Sequence, residues 1–544
     1  MAGTEEHLPP SAGEPIVDSI RRLVSEAADG RRSSFDDLAA AMFAVVTDSG
    51  LAGQAMDVMA AAPTLWIELD VAVRRRYPLF PACACRPHGP LAAVPEGCQS
   101  LGRVPDGSAE PGSRGGTSPE PSSTSLAVAL AACARDGRER ERAVRHPAMR
   151  TDAGLLPVLV MRSTDWVRPV RDRAVAVLGE VLAGAVDATA FLAAVPVVAG
   201  LEDRARVLPA LELVRDALAR ADDETLDLVR RCPDRSGRRF VYDVALRAGR
   251  LDHGRLASAA MHESDQVSRT RCARALAAQA IEHDRPELVL SILDGTSAQG
   301  RVEALTALVR LGGTEHGLRF LADSAGMVRL TAQWAVRRAG GDPAELYRER
   351  IKTDQRVVGG RATRGLLAGI GDCGTRDDAA LVLPYLRDSR PRVRAEAVRT
   401  LRRLGAVEAG VAALLEDPAP MVVRNVVITL RDSFPSVPIE RLWTLLGAGH
   451  PRHVRLGAHR LLIHRGNWSR VRADLLLVHD RDETVSRRAC VDLTAWCRRD
   501  SASQYLPPPP ADLRQELERL AGAAEGVLSA RNMRVLRWML GSAG

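Results

Sequence analysis

A short motif recurs along this 544-residue chain and constrains its fold more than any other feature. It reads Val-Arg-x2-small-x3-Leu/Val, as in Val393-Arg394, Ala397 and Leu401. Positions four and eight residues apart share one helix face, so each copy forms an apolar stripe with a small residue where a neighbouring helix can approach. The copies from residue 300 onward are 28 to 35 residues apart. A unit of that length holds two short helices that cannot bury both faces alone, which predicts stacked units. Copies begin at Val170, Val328, Val393 and Val454, and degenerate ones at Gly300, Val358, Val423 and Val485.

Turn residues flank the motif in several units. An Asp before the motif is predicted to cap the helix and to pair with the motif Arg. A Gly twelve positions after the motif's first residue is predicted to end the helix in a left-handed conformation. The predicted structural residues are Asp165, Arg171, Asp323, Arg329, Asp388, Arg394, Asp417, Arg424 and Arg455, and the closing glycines are Gly312, Gly340, Gly405 and Gly466.

The composition favours helices over sheets. Apolar residues are 46% of the chain but aromatic residues only 3%, so the core must be built from Ala, Leu and Val. β-Sandwiches and barrels depend on aromatic and β-branched residues, whereas small aliphatic residues suit closely packed helices. We therefore predict an all-α fold, and the repeat predicts an α-solenoid of stacked helical pairs.

The segment from Asp388 to Gly405, DSRPRVRAEAVRTLRRLG, resembles the HEAT-repeat family, specifically the short HEAT-like repeats of the phycobilisome-lyase type. The resemblance covers about residues 165–497 and implies an α-solenoid whose helical pairs stack into a right-handed superhelix with a concave binding face. Some HEAT proteins, such as deoxyhypusine hydroxylase, hold iron through several His-Glu dyads. This chain has one dyad, His262-Glu263, so a di-iron centre is not predicted.

Composition divides the chain into five predicted segments. Residues 1–13 form a disordered N-terminus and residues 14–82 a small helical region. A disordered linker covers 83–125, where Gly, Ser and Pro supply 16 of the 27 residues from 99 to 125. The solenoid is predicted over 126–506. A Pro-rich spacer and C-terminal capping helices follow over 507–544.

Cysteine usage and apolar runs predict a cytoplasmic protein without membrane insertion. The nine cysteines are odd in number and scattered, which is typical of buried thiols in a reducing compartment. The longest apolar run, residues 190–201, is too short to span a bilayer. Whether the linker binds a metal is left open, because four residues there have zinc-ligand chemistry in a spacing that matches no known finger. They are Cys83, Cys85, His88 and Cys98.

No residue is assigned to catalysis, to a cofactor or to a metal, and no cofactor is predicted. Gly369 to Gly374 matches G-x-G-x-x-G, but that motif holds a dinucleotide only between a strand and a helix. Here it follows a predicted helix, so we interpret it as an inter-helix turn.

Positive charge marks the candidate interaction surface. The chain carries a formal net charge of +7, and 74 of its 75 basic residues are arginine. Residues 440–500 contain 12 Arg against 7 acidic residues, together with five of the 12 His. A basic stripe that crosses several units is how a solenoid presents an extended surface. The candidate surface residues are Arg337, Arg338, Arg399, Arg402, Arg403, Arg460 and His464.

Three functions remain open from the sequence. The leading hypothesis is a non-enzymatic scaffold that binds a protein partner through its concave face. The alternative is a nucleic-acid or other polyanion binder with a basic Arg/His groove, similar in shape to the HEAT-like alkylpurine glycosylases, with Trp443, Trp468 and Trp496 near the groove. The third is a phycobilisome-lyase-like or other enzyme subunit, which no residue supports.

Overall fold

Helices build the fold throughout the part of the chain that the structure describes. This computed structural model describes residues 16–76, 124–184, 186–354, 360–407, 409–431, 437–500 and 508–541. Within those ranges it has no β-strand, only an isolated bridge between Glu525 and Leu528. The predicted all-α class is therefore confirmed. None of the helices in these ranges is long and apolar enough to cross a bilayer.

The helices group into two compact units, of which the first ends at Leu276 and the second begins at Ala277. The helices of the first unit are α1 (Ile16–Ala28), α2 (Ser34–Val45), α3 (Ser49–Ala60), α4 (Trp66–Arg76), α5 (Ser125–Ala132), α6 (Gly137–Arg145), α7 (Ala148–Thr151), α8 (Leu156–Arg162), α9 (Arg168–Ala183), α10 (Ala188–Gly200), α11 (Leu208–Arg220), α12 (Asp223–Val229), α13 (Arg235–Arg247) and α14 (His253–His262). Helix α15 (Gln266–Glu282) contains the boundary.

The second unit continues the same alternation of short helices, with 3₁₀ turns replacing some of them. Its helices are α16 (Glu287–Leu293), α17 (Ala298–Arg310), α18 (Gly326–Arg338), α19 (Pro343–Asp354), α20 (Gly360–Cys373), α21 (Ala379–Val382), α22 (Pro391–Arg403), α23 (Ala409–Ala413), α24 (Pro420–Arg431), α25 (Ile439–Leu446), α26 (Arg452–Leu462), α27 (Asn467–Leu477), α28 (Glu483–Ala495), α29 (Ala511–Ala523) and α30 (Ala530–Leu540).

Consecutive helical pairs stack on one another inside each unit. In the second unit α20 packs on α22, α22 on α24 and α24 on α26, while α25 also packs on α26. In the first unit α6 packs on α9, α9 on α11 and α11 on α13. Each unit is thus a short helical solenoid, in which every layer contacts the layers before and after it.

The motif residues form the core of these layers. In α22, for example, Val393, Ala397 and Leu401 are fully buried, and α9, α18 and α26 bury the equivalent three residues. The small residue at the centre of the stripe leaves room for the next helix, as the spacing predicted. The closing glycines are confirmed as well: Gly312, Gly340, Gly405 and Gly466 all have positive φ, between 68° and 116°.

The motif Asp and Arg residues join neighbouring layers. The Asp417 carboxylate accepts from the Ala419 N–H, so it caps its own helix as predicted. Its arginine partner, however, is Arg394 of the preceding layer, at 2.7 and 2.8 Å. Arg394 also donates to the Asp388 carbonyl at 2.8 Å, which ties the start of α22 to the start of α24. The same pattern pairs Arg140 with Asp165, Arg301 with Asp323 and Arg455 with Asp480.

The copy of the motif that the sequence places at Val423 begins one residue earlier in the structure, at Val422. In other layers the motif Arg lies six residues after the Asp and donates to its carbonyl, as Arg329 does to Asp323 at 3.0 Å. Six residues after Asp417 stands Val423, which is buried, whereas Arg424 is exposed and makes no such contact. The ring of His453 from the next layer bonds the Asp417 carbonyl instead, at 2.9 Å. Arg424 is therefore not a structural arginine.

The N-terminal helices belong to the first unit and pack directly on its later helices. The Arg162 guanidinium of α8 binds Asp70 of α4 at 2.8 Å and Asp165 at 2.9 Å, and these groups are almost entirely buried. The predicted N-terminus 1–13, nearly all of the linker 83–125 and its four possible zinc ligands lie outside the described residues. The five segment boundaries stay predictions.

Candidate interaction groove

Four stacked helices of the second unit begin along one edge of the stack. Helices α20, α22, α24 and α26 pack in chain order, and Pro391 and Pro420 are the first residues of α22 and α24. A helix N-terminus has unpaired N–H groups and a partial positive charge. The backbone N–H groups at this edge therefore favour anions, independently of the side chains.

Two grooves of about 630 and 660 Å³ lie along this edge. They adjoin at the start of α24, where Met421 lines the first groove and Pro420 the second. Their walls combine arginines with apolar side chains such as Met421, Val427 and Leu456, and Met421 is 42% exposed. The arginines that line them are Arg361, Arg364, Arg390, Arg392, Arg424, Arg452 and Arg460.

Three of these arginines are exposed and have no acidic partner among the described residues: Arg392, Arg424 and Arg460. Others are already engaged, since Arg390 binds Asp388 at 2.9 Å and Arg361 donates to the Ser324 hydroxyl at 3.2 Å. The grooves therefore offer guanidinium groups whose charge is not neutralised by the protein.

The acidic groups near the grooves are occupied by local hydrogen bonds. The Asp388 carboxylate accepts from the backbone and side chain of Arg390, and this pairing holds the pKa of Asp388 below its usual value. Asp482 accepts from the Thr484 N–H at the start of α28. Neither carboxylate faces Arg392, Arg424 or Arg460 closely enough to form an ion pair, so the grooves keep an excess of positive charge.

The surface predicted from the sequence is only partly brought together. Arg460 lies in the second groove beside Arg424. Arg403 binds Asp372 at 2.9 Å and Glu396 at 2.8 Å, and Arg399 also binds Glu396. Two paired arginines cannot offer full charges to a ligand. The remaining predicted residues, Arg337, Arg338, Arg402 and His464, are exposed or half-buried outside the two grooves.

The histidines of residues 440–500 do not form a common surface. His453 bonds the Asp417 carbonyl, and His479 bonds the Ala523 carbonyl at 2.6 Å. His459 is buried and contacts Asp474 at 2.6 Å. His450 is half-buried, whereas His464 and His479 are exposed. The sequence could not separate these roles, because all five lie on or beside helices with basic faces.

The three tryptophans of this region also serve packing. The ring centroids of Trp468 and Trp496 are 6.2 Å apart, and Trp496 is fully buried. Trp443 lies under the Arg472 guanidinium, 4.5 Å from the ring centroid. None of the three lines either groove. The stacking platform that a glycosylase-like groove would need is therefore not built from these rings.

Two further motifs have local structural roles. The G-x-G-x-x-G segment is not the predicted inter-helix turn, because Gly369 and Gly371 lie inside α20 and only Gly374 follows it. A Cβ atom at Gly369 would lie 2.1 Å from the Tyr347 ring, so the glycine permits close packing. In the first unit, the Glu263 carboxylate accepts from the Asp265 N–H at 3.0 Å and from the Ser264 hydroxyl at 3.1 Å. Those bonds cap the turn before α15 and orient the carboxylate toward its own backbone.

Comparisons with known proteins assign the chain to no family. No family model matches the chain, and no curated protein matches it. Among solved structures, an engineered protein is 16% identical, covering 77% of this chain and 98% of its own, with a TM-score of 0.17. A homology model of the full-length AP-3 complex in an intermediate open conformation is 10% identical, covering 98% of this chain and 96% of its own, with a TM-score of 0.27. At these scores neither similarity adds to the helical-repeat class that the stacked helices define.

Proposed function

We propose that the chain is a non-enzymatic scaffold of the HEAT-like type, and that the two arginine-lined grooves bind an acidic, extended segment of a partner protein. The observation that carries this proposal is the row of three exposed arginines, Arg392, Arg424 and Arg460, that line the grooves and have no acidic partner among the described residues. Arg392 and Arg424 are near the starts of α22 and α24, and Arg460 is in the last turn of α26. Guanidinium groups bind carboxylates with two parallel hydrogen bonds, which gives both charge and geometric specificity.

The length of the row sets the size of the ligand. Packed helices lie roughly 8–10 Å apart, so a path across α20, α22, α24 and α26 is roughly 25–30 Å long. An extended chain covers about 3.3 Å per residue, so about eight or nine residues span it. Met421, Val427 and Leu456 between the arginines offer apolar contacts to a peptide that alternates acidic and aliphatic side chains.

The same apolar lining favours a peptide over a nucleic acid. Single-stranded nucleic acids are held by aromatic rings on which the bases stack, in addition to backbone charge. Both grooves have aliphatic and arginine side chains in their walls, and no Phe, Tyr or Trp of the described residues lines either; the one imidazole, His453 in the second groove, already bonds the Asp417 carbonyl. Phosphate binding without stacking would be sequence-independent and strongly salt-dependent. Binding of a nucleic acid is therefore treated as the alternative outcome of the binding experiment below.

Fluorescence anisotropy with a labelled peptide that alternates Glu and Leu tests the proposal. We expect binding by the full chain that weakens with added salt. Charge reversal at Arg392, Arg424 and Arg460 together should weaken it by about a hundredfold or more, because each reversal replaces an attraction by a repulsion.

The matched control reverses Arg337, Arg338 and Arg487, three exposed arginines outside the grooves, with the same change in net charge. The control should retain binding to within about threefold, the size expected of long-range charge alone. Equal loss in both variants would mean that binding follows net charge. Tight binding of a single-stranded oligonucleotide with no binding of the peptide would instead favour the nucleic-acid function.

A further inference from the structure

Helices α26, α27 and α28 bring three metal-ligand side chains to one buried point behind the groove. They are His459, Asp474 and Asp492, and their ligand atoms all lie within 4.8 Å of one another. Each comes from a different helix of one continuous stack, since α27 packs on both α26 and α28. Their positions are therefore fixed by helix packing and not by a flexible loop.

Two of these side chains are almost completely buried with part of their hydrogen-bonding capacity unused. The side chains of His459 and Asp474 are 1% and 0% exposed, and the His459 Nε2 lies 2.6 Å from the Asp474 Oδ1. The His459 Nδ1 and the Asp474 Oδ2 have no hydrogen-bond partner within the described structure. Buried polar atoms without partners are rare and costly. The Asp474 Oδ2 belongs to the carboxylate that meets the His459 Nε2, so it can serve a ligand bound there, whereas the His459 Nδ1 on the other side of the ring calls for a separate partner such as a water. Burial raises the pKa of Asp474 in spite of its bond to His459.

Asp492 supplies the third group and the only partial opening. Its side chain is 12% exposed, and Arg488 holds it by donating from Nε at 3.0 Å. Metal-binding carboxylates are commonly oriented in this way by a second hydrogen-bonding partner, which fixes the free oxygen toward the ion. The cluster therefore has two fixed buried ligands and one oriented ligand at its edge.

We propose that His459, Asp474 and Asp492 bind a divalent first-row transition-metal ion such as Zn²⁺, through one imidazole nitrogen and two carboxylate oxygens. This ligand set suits zinc, for which His nitrogen and Asp oxygen are ordinary ligands at ~2.0–2.2 Å. Two ligands of a tetrahedral ion lie roughly 3.3 Å apart. The His459–Asp474 contact must therefore open by less than about 1 Å, as the proton between them is exchanged for the ion.

Cobalt substitution tests the site in the full chain. After treatment with a chelator, the protein should bind Co²⁺ with one-to-one stoichiometry and show visible absorption bands of a low-coordinate site, which Zn²⁺ should displace. Asp492→Asn, at the edge of the cluster, should weaken Zn²⁺ binding by more than about tenfold and abolish the bands. Asp474→Asn should do the same, with folding checked by circular dichroism.

His464→Gln is the matched control, because His464 is an exposed histidine just beyond the end of α26. It should leave the cobalt spectrum and the zinc affinity unchanged. Zn²⁺ should also raise the melting temperature of the wild-type protein and of His464→Gln but not of Asp492→Asn. The proposal is overturned if the wild-type protein binds no ion, or if a folded Asp492→Asn variant binds as well as wild type. It is also overturned if His464→Gln loses the ion.

Discussion

Replacing Arg394 by Met removes the arginine that joins two layers while keeping most of its apolar stem. The guanidinium loses bonds of 2.7 and 2.8 Å to Asp417 and bonds of 2.8 and 3.2 Å to the carbonyls of Asp388 and Ser389. The side chains of Arg394 and Asp417 are only 11% and 3% exposed, so the remaining carboxylate stays largely buried. Removing one partner of a buried pair costs about 3–5 kcal/mol, and we expect about 3 kcal/mol because Asp417 keeps its bond to the Ala419 N–H.

Amide hydrogen exchange measures this loss of stability locally, at the start of α24. Because repeat arrays do not always unfold in one step, the assay follows the peptide that spans the start of α24 and not only the global transition. A loss of about 3 kcal/mol accelerates its exchange by about a hundredfold. Arg392→Met is the control, since Arg392 is exposed in the same helix without an acidic partner and should change stability by less than about 0.5 kcal/mol.

The double variant Arg394→Met/Asp417→Asn completes the cycle. Its loss of stability should be smaller than the sum of the losses in the two single variants, because the double variant leaves no buried charge without its partner. The account of the joined layers is refuted if Arg394→Met exchanges no faster than Arg392→Met, or if the two single losses simply add.

Four further substitutions test the fold. Ala397→Glu places a carboxylate at a fully buried helix contact and should cost about 3 kcal/mol or more by urea unfolding, whereas a cost equal to that of Arg392→Glu would mean that the helix phase is wrong. Gly365→Ala should destabilise, because its Cβ would lie 1.9 Å from the Ala322 carbonyl oxygen, while Gly522→Ala, with nothing within 4 Å, should stabilise α29 by about 0.5–1 kcal/mol. The depressed pKa of Asp388 contributes stability that is present above the ordinary pKa of Asp and is lost as pH falls through the lower folded value. Asp388→Asn should therefore flatten the loss of the urea midpoint in acid, and an unchanged slope would contradict this.

The sequence predicted the layers well, because burial repeats with the helix period. Val393, Ala397 and Leu401 are buried as the spacing required, and the glycine after them has the left-handed φ that the C-cap needs. The prediction that Arg424 is a structural arginine failed because Val422 and Val423 are both apolar. Two registers then fit the motif equally, and only the hydrogen bonds of the folded layer separate them.

Partners across layers could not be predicted from local spacing. The pairing of Arg394 with Asp417 depends on how far one layer is displaced from the next, which the intervening turn decides. The same holds for Arg403, which appears free in the sequence but binds Asp372 of the neighbouring α20. His459 and Asp474 are 15 residues apart and meet only because α26 and α27 form a hairpin. Pairs of side chains from different layers can be identified only from the folded stack.

A hydrogen-exchange footprint with the acidic peptide bound tests the central claim most directly. If the arginine-lined grooves are the binding surface, the peptide should protect the amides at the beginnings of α20, α22, α24 and α26, around Arg392 and Arg424, and protection should fade with added salt. The amides at the C-terminal ends of α18 and α22, beside Arg338 and Arg403, should exchange at their free rates. Protection at those ends, with none at the grooves, would contradict the proposed binding surface.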